Sequence, residues 1–382
     1  MTVRRGTGLL AARVAVAVAA AAGLTLAGNA GASAASAVTA TAPAVLESLA
    51  CPSASHCVAV GADSPDRPTR LAADNWNGTA WVRVAVPSPA GSVSVNLNGV
   101  GCPAVHPCVA VGRAYPRSGG FYAIGAVWNG ASWSVARAVD PGSSSDLFAV
   151  SCATTASCFA VGRYTRTGSA SWTALIEHWN GKAWAELAAP VPAGSNHAAL
   201  QAVSCAAWNM CVAAGGDDSG QLIERWNGHV WAATRPPTRT SETLLGVACP
   251  TATSCFASGG DKLSQGSLID HWNGRTWTRD YPVTAADADY PMFKSVSCSS
   301  PSACLAVGNN VAGAFVDRWD GTDWLPVGPL VFNGGTPRYF VQVRCLSATN
   351  CVALASANPA SDFWRSSAEF WNGTSFQTVP TT

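Results

Sequence analysis

Short apolar runs of strand length, separated by tight turns, recur along this chain in seven copies of about 50 residues each. In the third copy, residues 147–152 form one apolar run, and residues 158–162 form a second run after a short turn. Residues 172–179 and 184–188 give two further strand-like segments with an Asn-Gly turn between them. Each copy therefore predicts four consecutive antiparallel strands, of which we expect the first to be innermost.

A long period made of short strands is typical of a β-propeller, in which each copy forms one blade. We predict an all-β fold in which residues 46–382 form a single seven-bladed β-propeller with four antiparallel strands per blade. The loops between second and third strands and the connections between copies vary in length, whereas the other turns are nearly constant. The variable loops are expected on one rim of the propeller and the constant turns on the other.

Cysteine occurs only in pairs with five residues between the partners, one pair in each copy. An even number of cysteines at fixed spacing indicates disulfides in a chain whose first residues have the features of an export signal, with Arg4 and Arg5 before an apolar run. A bridge over so short a loop contributes about 2 kcal/mol in the chain-entropy description. We predict one disulfide in the first hairpin of every blade, namely Cys51–Cys57, Cys102–Cys108, Cys152–Cys158, Cys205–Cys211, Cys249–Cys255, Cys298–Cys304 and Cys345–Cys351.

The second repeated motif is Trp-Asn-Gly-x-x-Trp, at the turn between the third and fourth strands. A two-residue Asn-Gly turn of type I′ would place Trp226 opposite His229 and Glu224 opposite Trp231. Side chains alternate along a strand, so the two indoles would then be diagonal neighbours on one face. We expect these pairs, with Phe376 in place of the last Trp, to form the wedge between adjacent blades.

The residue two positions before the first Trp is acidic in six copies: Asp74, Glu177, Glu224, Asp270, Asp317 and Glu369. We expect each carboxylate to accept an N–H bond beside the indoles and to link neighbouring blades, although a repeated ligand or cation site is an alternative. Repetition argues against catalysis, because an active site needs one constellation of residues. The cysteine pairs are spaced too widely for a metal site, and histidine recurs at one repeat position in only two copies, as His178 and His271, so no metal site is predicted and no cofactor is expected.

The diglycines Gly215-Gly216 and Gly259-Gly260 end second strands, and a Trp begins the fourth strand, as in kelch repeats. Elsewhere the diglycine is replaced by Val-Gly, or by Leu-Ala in the last copy. The chain therefore resembles kelch-type seven-bladed propellers. The nearest description is a secreted actinobacterial β-propeller repeat protein. This resemblance covers the repeats and implies a fold, not an activity.

Residues 1–37 have the features of a secretory signal peptide. Arg4 and Arg5 precede an apolar run at residues 14–26, and small-residue cleavage sites follow at 32–34 and 35–37. An uncleaved anchor is the alternative, but the run is too short to predict a stable membrane span. Residues 38–45 would be a short leader, or residues 38–44 an additional outer strand on the last blade. We expect a protein that is secreted and extracellular, or associated with the cell surface.

Only 12% of the residues are charged, and the formal net charge is +1. A nearly neutral chain lacks the basic surface that nucleic-acid binding requires, so nucleic acid is not an expected partner. An extracellular glycan or protein is the expected partner, and a monomer is the expected state.

A seven-fold frame gains a unique site only where its symmetry is broken, so the variable rim is the candidate binding face. Its early blades carry basic and aromatic residues and its later blades carry acidic ones, which suggests a bipolar funnel for an anionic or polyhydroxylated ligand. The candidate ligand-binding residues are Arg67, Arg113, Tyr115, Arg117, Arg163, Tyr164, Arg166, Asp217, Asp218, Asp261, Asp289 and Trp364. Trp172 also lies outside the repeated positions, where an exposed ring would favour ligand binding.

No catalytic motif is present in the sequence, and no catalytic residue is predicted. A binding or scaffold function is favoured, with recognition of glycan, polymer or protein on the variable rim. One alternative is a glycan-active hydrolase or lyase with its site on the same face. Another is a multivalent lectin with one sugar site in each blade.

Overall fold

A computed structural model describes residues 44–63, 69–234, 242–260, 266–280, 291–328, 330, 338–357 and 365–380. The predicted signal peptide and residues 38–43 of the predicted leader lie outside the described residues. The described strands form seven separate sheets, and each sheet contains four strands that are consecutive in the chain. Neighbouring strands within a sheet are antiparallel, as the three strand pairs of the fourth sheet illustrate.

The first three blades contain the strands β1 (Val45–Ser53), β2 (His56–Ala62), β3 (Leu71–Trp76) and β4 (Trp81–Ala85), then β5 (Ser92–Gly101), β6 (Cys108–Pro116), β7 (Tyr122–Trp128) and β8 (Trp133–Arg137), then β9 (Ser144–Thr154), β10 (Ser157–Thr165), β11 (Trp172–Trp179) and β12 (Trp184–Leu187). The fourth and fifth blades contain β13 (Ala199–Ala207), β14 (Met210–Asp217), β15 (Gly220–Trp226) and β16 (Trp231–Thr234), then β17 (Thr243–Thr251), β18 (Ser254–Gly260), β19 (Ser267–Trp272) and β20 (Trp277–Asp280). The last two blades contain β21 (Met292–Ser300), β22 (Ala303–Asn310), β23 (Gly313–Trp319) and β24 (Trp324–Pro326), then β25 (Tyr339–Ser347), β26 (Asn350–Ala357), β27 (Arg365–Trp371) and β28 (Phe376–Pro380). The predicted all-β, seven-bladed architecture is confirmed.

The hydrophobic core is divided among the spaces between blades. One cluster of buried residues fills each interface, and the cluster between the last and first blades unites Leu354 and Ala368 with Leu46 and Leu49. Burial of apolar area between blades, at about 25 cal/mol per Å², is therefore the term that holds the ring together. The first strand of every blade contributes residues to a cavity at the centre of the ring, which confirms that the first strand is innermost.

The indole pairs pack directly across the third and fourth strands, and the predicted register was wrong. Trp226 lies opposite Trp231, and Glu224 lies opposite Ala233. The loop has four residues, 227–230. The Asn227 side-chain oxygen sets its geometry, because it accepts hydrogen bonds from the backbone N–H groups of His229 and Val230 at 2.9 Å each. The Asn227 backbone N–H also donates to the Val230 carbonyl oxygen at 3.3 Å, so the side chain and one backbone bond together close the longer loop.

The predicted role of the indole pairs as wedges between blades is confirmed by their contacts. The ring centroids of Trp226 and Trp231 lie 5.8 Å apart, and both rings contact Phe159 of the preceding blade, at 5.1 and 5.3 Å. Trp184 packs against Gly125 of the preceding blade so closely that any side chain there would clash with the indole. Each pair therefore fills the outer part of an interface between two blades.

All seven predicted disulfides are present in the first hairpins. In the fourth blade, Cys205 and Cys211 are opposite each other on β13 and β14, with 4.0 Å between their Cα atoms. The bridges thus cross-link two neighbouring strands at the rim that carries the constant turns. We call this face the cysteine rim and the opposite face the variable rim.

A bulge in the innermost strand explains the glycine of the second strand in six blades, while the seventh blade has the same bulge with Ala355 at this position. In the fourth blade the register between β13 and β14 shifts at Gln201. The bulge brings the carbonyl oxygen of Ala199 against Gly215, where a Cβ atom would clash with it. The bulge also directs one residue per blade, Gln201 in this case, toward the axis on the variable side. Because these side chains face the axis, their identities are free to differ among blades.

Among the described strands the ring closes without strand exchange, because the first and last sheets each contain four consecutive strands. Side-chain hydrogen bonds join the two ends instead. The Gln342 Oε1 atom accepts bonds from the Leu49 backbone N–H and the Ser48 hydroxyl, and the Ser366 hydroxyl accepts a bond from the Leu46 N–H at 2.8 Å. An extra strand from residues 38–44 falls outside the described residues apart from Ala44, which is buried in the closing interface.

The six acidic side chains of the repeats are almost completely buried, but the expected indole hydrogen bonds were wrong. The indole N–H of Trp76 donates to the Ala54 carbonyl in the cysteine hairpin at 3.2 Å, and the Trp226 N–H donates to the Trp208 carbonyl at 3.2 Å. The carboxylates instead have different partners in different blades. Asp74 pairs with Arg83, whereas both oxygens of Glu224 are buried without a hydrogen-bond partner.

Candidate functional site

Trp172 lines two neighbouring cavities on the variable rim. It begins β11, and its carbonyl oxygen accepts a hydrogen bond from the Ala198 N–H at 3.2 Å. A parallel bridge also joins Trp172 to His197. These contacts fix the connection between the third and fourth blades beside the edge of β11, and they leave the indole half-buried.

Charged and aromatic groups surround the Trp172 ring. The Arg163 guanidinium lies over the indole, 5.0 Å from the ring centroid, and 5.6 Å from the Phe148 ring. The His197 ring meets the indole edge-on at 4.2 Å between centroids. A cation over an aromatic face is favourable by about 0.5–1 kcal/mol at exposed sites, so the arginine and the indole hold each other in position.

Asp218 fixes His197 from the opposite side. The His197 Nδ1 atom lies 3.1 Å from Asp218 Oδ1, and the Asn196 backbone N–H donates to Asp218 Oδ2 at 2.7 Å. The Asn196 hydrogen bond, followed by the contact with His197, holds the pKa of the Asp218 carboxyl below its usual range. The carboxylate is therefore ionised at neutral pH, and both side chains keep 42% of their surface exposed to solvent.

Two cavities flank Trp172. The larger, of about 450 Å³, is lined by residues of the third to sixth blades, including Arg163, Trp172, His197, Gln201 and Asp218. The smaller, of about 300 Å³, lies among the loop residues around Arg166, Ser171 and Asn196 and shares the Trp172 ring. The indole thus separates two recesses, and both hydrogen-bond donors and hydrogen-bond acceptors line them.

The structure brings four of the predicted residues to these cavities. Arg163, Asp217 and Asp218 line the larger one and Arg166 lines the smaller one. Asp217 also closes its own turn, since its Oδ1 atom accepts bonds from the Ser219 N–H and hydroxyl at 2.8 and 2.9 Å.

The other predicted residues lie elsewhere. Arg113 pairs with buried Asp146, with its guanidinium 5.6 Å from the Tyr115 ring. Tyr164 packs against the core between the second and third blades, and Arg117 is exposed on the loop after β6. Predicted residues that fall outside the described residues are Arg67, Asp261, Asp289 and Trp364.

His197 and Gln201 were missed by the sequence analysis. His197 lies in a connection between blades, where no repeat marks its importance, and Gln201 occupies the bulge of β13. Aligning the copies on the first cysteine would have singled out Gln201, because the corresponding positions differ in every blade, as Glu47, Asn98, Phe148, Leu245, Lys294 and Val341. Because the bulge directs these side chains toward the axis, the different residue types give the cavity at the centre of the ring a different lining at each blade.

Within the described ranges, no group of three or more His, Cys, Asp or Glu side chains is arranged to hold a metal ion. The same part of the chain contains no helix long and apolar enough to cross a membrane. Burial raises the carboxyl pKa of Glu177 and Glu224 to about 8 and that of Asp270 and Asp317 to about 6. It also raises the pKa of other carboxyl groups, including that of Glu47 on β1. None of these residues lines the two cavities beside Trp172.

No family model matches the sequence, and no curated protein sequence is significantly similar to it. Solved structures are similar in fold. The structure of YCF48 bound to D1 peptide superposes with a TM-score of 0.55 at 16% identity, covering 82% of this chain and 90% of that one. The β-propeller domain of the Trilobed protease from Pyrococcus furiosus, which has an open velcro topology, gives a TM-score of 0.54 at 9% identity, covering 89% of this chain and 98% of that one.

A glycoside hydrolase is also similar in fold. The GH74 xyloglucanase from Xanthomonas campestris gives a TM-score of 0.55 at 13% identity over 88% of this chain and 55% of its own. Proteins with a peptide partner and enzymes thus share this architecture, and identities this low show the fold alone. The comparisons therefore show that the chain is similar to known β-propellers.

Proposed function

We propose that this chain is a secreted, kelch-like binding propeller that recognises an extracellular glycan at one site around Trp172 on the variable rim. The observation that carries the proposal is the half-buried indole between two cavities, with Arg163 over its ring and His197 at its edge. A sugar presents an apolar face that stacks on an aromatic ring and hydroxyl groups that bond to polar side chains around it.

The polar groups around the indole suit a hydroxylated ligand. The ionised Asp218 carboxylate accepts hydrogen bonds, whereas Arg163 donates them, and the Gln201 amide can do both. His197 and Asp218 are already bonded to each other, so their positions are set before a ligand arrives. Such preorganisation reduces the entropy lost on binding.

A single site is favoured over one sugar site per blade. Most of the repeated indoles are buried between blades, with Trp81 only 3% and Trp231 only 6% exposed, so their faces are covered by protein. A ligand could not stack on these rings without opening an interface. The multivalent lectin is therefore the weaker candidate.

Binding is favoured over glycan hydrolysis by the state of the carboxyl groups at this recess. Glycosidases pair two carboxyl groups across the scissile bond, one of them protonated by a raised pKa. Here Asp217 closes its own turn, and the pKa of Asp218 is lowered by the Asn196 N–H. The recess therefore suits recognition better than acid catalysis.

The test is titration calorimetry of the folded, disulfide-bonded chain against a panel of extracellular oligosaccharides. We expect one equivalent of the best ligand per chain, and a loss of affinity of about tenfold or more in Trp172→Ala, since stacking and ring burial contribute about 1–3 kcal/mol. Trp208→Ala is the matched control, because that indole is 61% exposed on the cysteine rim and only its backbone carbonyl is used.

The variant Asp218→Asn keeps the indole and tests the polar part of the recess separately. We expect weaker binding with the same stoichiometry, because His197 loses its charged partner. Several equivalents per chain, or equal affinity for Trp172→Ala and wild type, would contradict the proposal.

A further inference from the structure

The innermost strands place one residue per blade around the axis at the cysteine rim, immediately before the first cysteine of each pair. Six of these residues are small and the seventh is an arginine: Ala50, Gly101, Ser151, Ser204, Ala248, Ser297 and Arg344. All seven line one cavity of about 220 Å³. Arg344 is the one charged side chain among these seven, and it also lines the adjoining cavity of about 110 Å³.

Arg344 has no acidic partner there. Its Nε atom donates to the Leu49 carbonyl oxygen at 3.0 Å, and this bond uses one of the five guanidinium N–H groups. Among the described residues, no carboxylate lines this cavity or the adjoining one of about 110 Å³, to which Lys294 adds a second positive charge. Burial lowers the pKa of Arg344 to about 10, so the side chain is still protonated at neutral pH.

The serine hydroxyl groups of the ring add neutral donors. The hydroxyl oxygens of Ser151, Ser204 and Ser297 each accept a hydrogen bond from the backbone N–H of the next blade's first cysteine, at 3.1, 3.0 and 2.9 Å. A hydroxyl that accepts from a backbone N–H keeps its own proton for donation. The cavity therefore combines a cation with hydroxyl donors.

We propose that this axial cavity is a binding site for an oxyanion, either inorganic phosphate or the carboxylate of a small organic acid, held by the guanidinium of Arg344. Arginine presents N–H groups in a planar fork that matches two oxygens of a carboxylate or phosphate. The serine hydroxyls of the same ring complete the donor set. The site lies on the axis at the cysteine rim and is separate from the Trp172 recess.

The experiment measures binding of phosphate, sulfate and acetate to the full folded chain by titration calorimetry and by thermal unfolding, with chloride at equal ionic strength as the reference. We expect saturable binding of one anion per chain and a melting temperature that rises with its concentration. If phosphate binds more strongly than acetate, the natural ligand is inorganic phosphate. The reverse order indicates the carboxylate of a small organic acid.

Variants of Arg344 distinguish its role in anion binding from its hydrogen bond to the Leu49 carbonyl of the first blade. Arg344→Gln keeps an N–H donor for the Leu49 carbonyl but loses the charge, and we expect at least about a tenfold loss of affinity. Arg344→Lys keeps the charge without the fork and should bind with intermediate affinity. Arg275→Gln is the matched control, because Arg275 is exposed on an Asn-Gly loop and should bind the anion as wild type does.

Two results would overturn the proposal. One is the absence of saturable binding by the wild-type chain for all three anions. The other is wild-type affinity in Arg344→Gln, which would place the anion elsewhere and leave Arg344 with the Leu49 contact alone.

Discussion

Glu224 shows how a repeated residue can have different chemistry in different blades. Its carboxyl group is fully buried, both oxygens lack a hydrogen-bond partner, and burial raises its pKa to about 8. Glu369, at the same position of the last blade, pairs instead with Arg338 and Ser367. The sequence predicts the acidic position in both blades, but the protonation state depends on neighbours that the repeat does not specify.

This burial predicts that stability falls as pH rises. The folded state holds the Glu224 proton up to about pH 8, whereas the unfolded chain releases it near 4.5. The stabilising contribution is therefore complete below pH 4.5 and lost as pH rises through about 8. In Glu224→Gln the group cannot ionise, so between about pH 5 and pH 9 the variant should gain about 2–4 kcal/mol of unfolding free energy relative to wild type.

The measurement is urea unfolding of both proteins across this pH range. Asp323→Asn is the control, because it removes a carboxylate from an exposed loop. A difference between Glu224→Gln and wild type that stays constant with pH would show that Glu224 is ionised in the folded protein.

At the scale of single elements, the loop between the third and fourth strands shows where prediction from the sequence failed. The Asn-Gly motif, with Asp-Gly in the sixth blade, correctly predicted a hairpin at this place, and Gly228 does adopt a positive φ of 96°. The motif did not predict the four-residue loop, because its geometry depends on side-chain hydrogen bonds of Asn227. The indoles therefore lie directly opposite each other and not diagonally.

The sixth blade supplies a natural comparison, because it has Asp320 in place of this asparagine. Asp320 Oδ1 accepts the corresponding N–H bonds from Asp323 and Thr322, which lower its pKa to about 2. We predict that Asn227→Ala loses about 1–2 kcal/mol of stability, whereas Asn227→Asp stays close to wild type at about pH 7. Chemical denaturation of the two variants checks this. Equal losses in both would show that the acceptor oxygen is not what stabilises the loop.

At the scale of the whole molecule, the repeat period and the cysteine spacing were sufficient to predict the number of blades, the strand order and all seven disulfides. For the candidate site, the sequence predicted the face of the propeller on which it lies, but not which of the charged residues on that face meet at one recess. Arg163 and Asp218 reach one recess, while Arg113 pairs with Asp146, and no repeat distinguishes these arginines in advance. The larger recess takes its side chains from four consecutive blades, and the packing of each blade on the next leaves little trace in local sequence.

Closure of the ring makes its own prediction. The Leu49 N–H is buried and donates to Gln342 across the joint between the last and first blades. Gln342→Ala leaves that donor without its acceptor, which should cost about 1–3 kcal/mol of unfolding free energy. Gln377→Ala, on the exposed side of the outermost strand β28, should leave stability unchanged. Thermal and urea unfolding compare the two, and equal stability would contradict a role for Gln342 in closure.

The central claim is that a symmetric frame carries one asymmetric ligand site, and a crystal structure of the chain soaked with its tightest-binding oligosaccharide tests it most directly. We predict electron density for one sugar ring stacked on Trp172, within hydrogen-bonding distance of Arg163 or Asp218. Density repeated at equivalent positions in several blades, or confined to the cysteine rim, would contradict the claim.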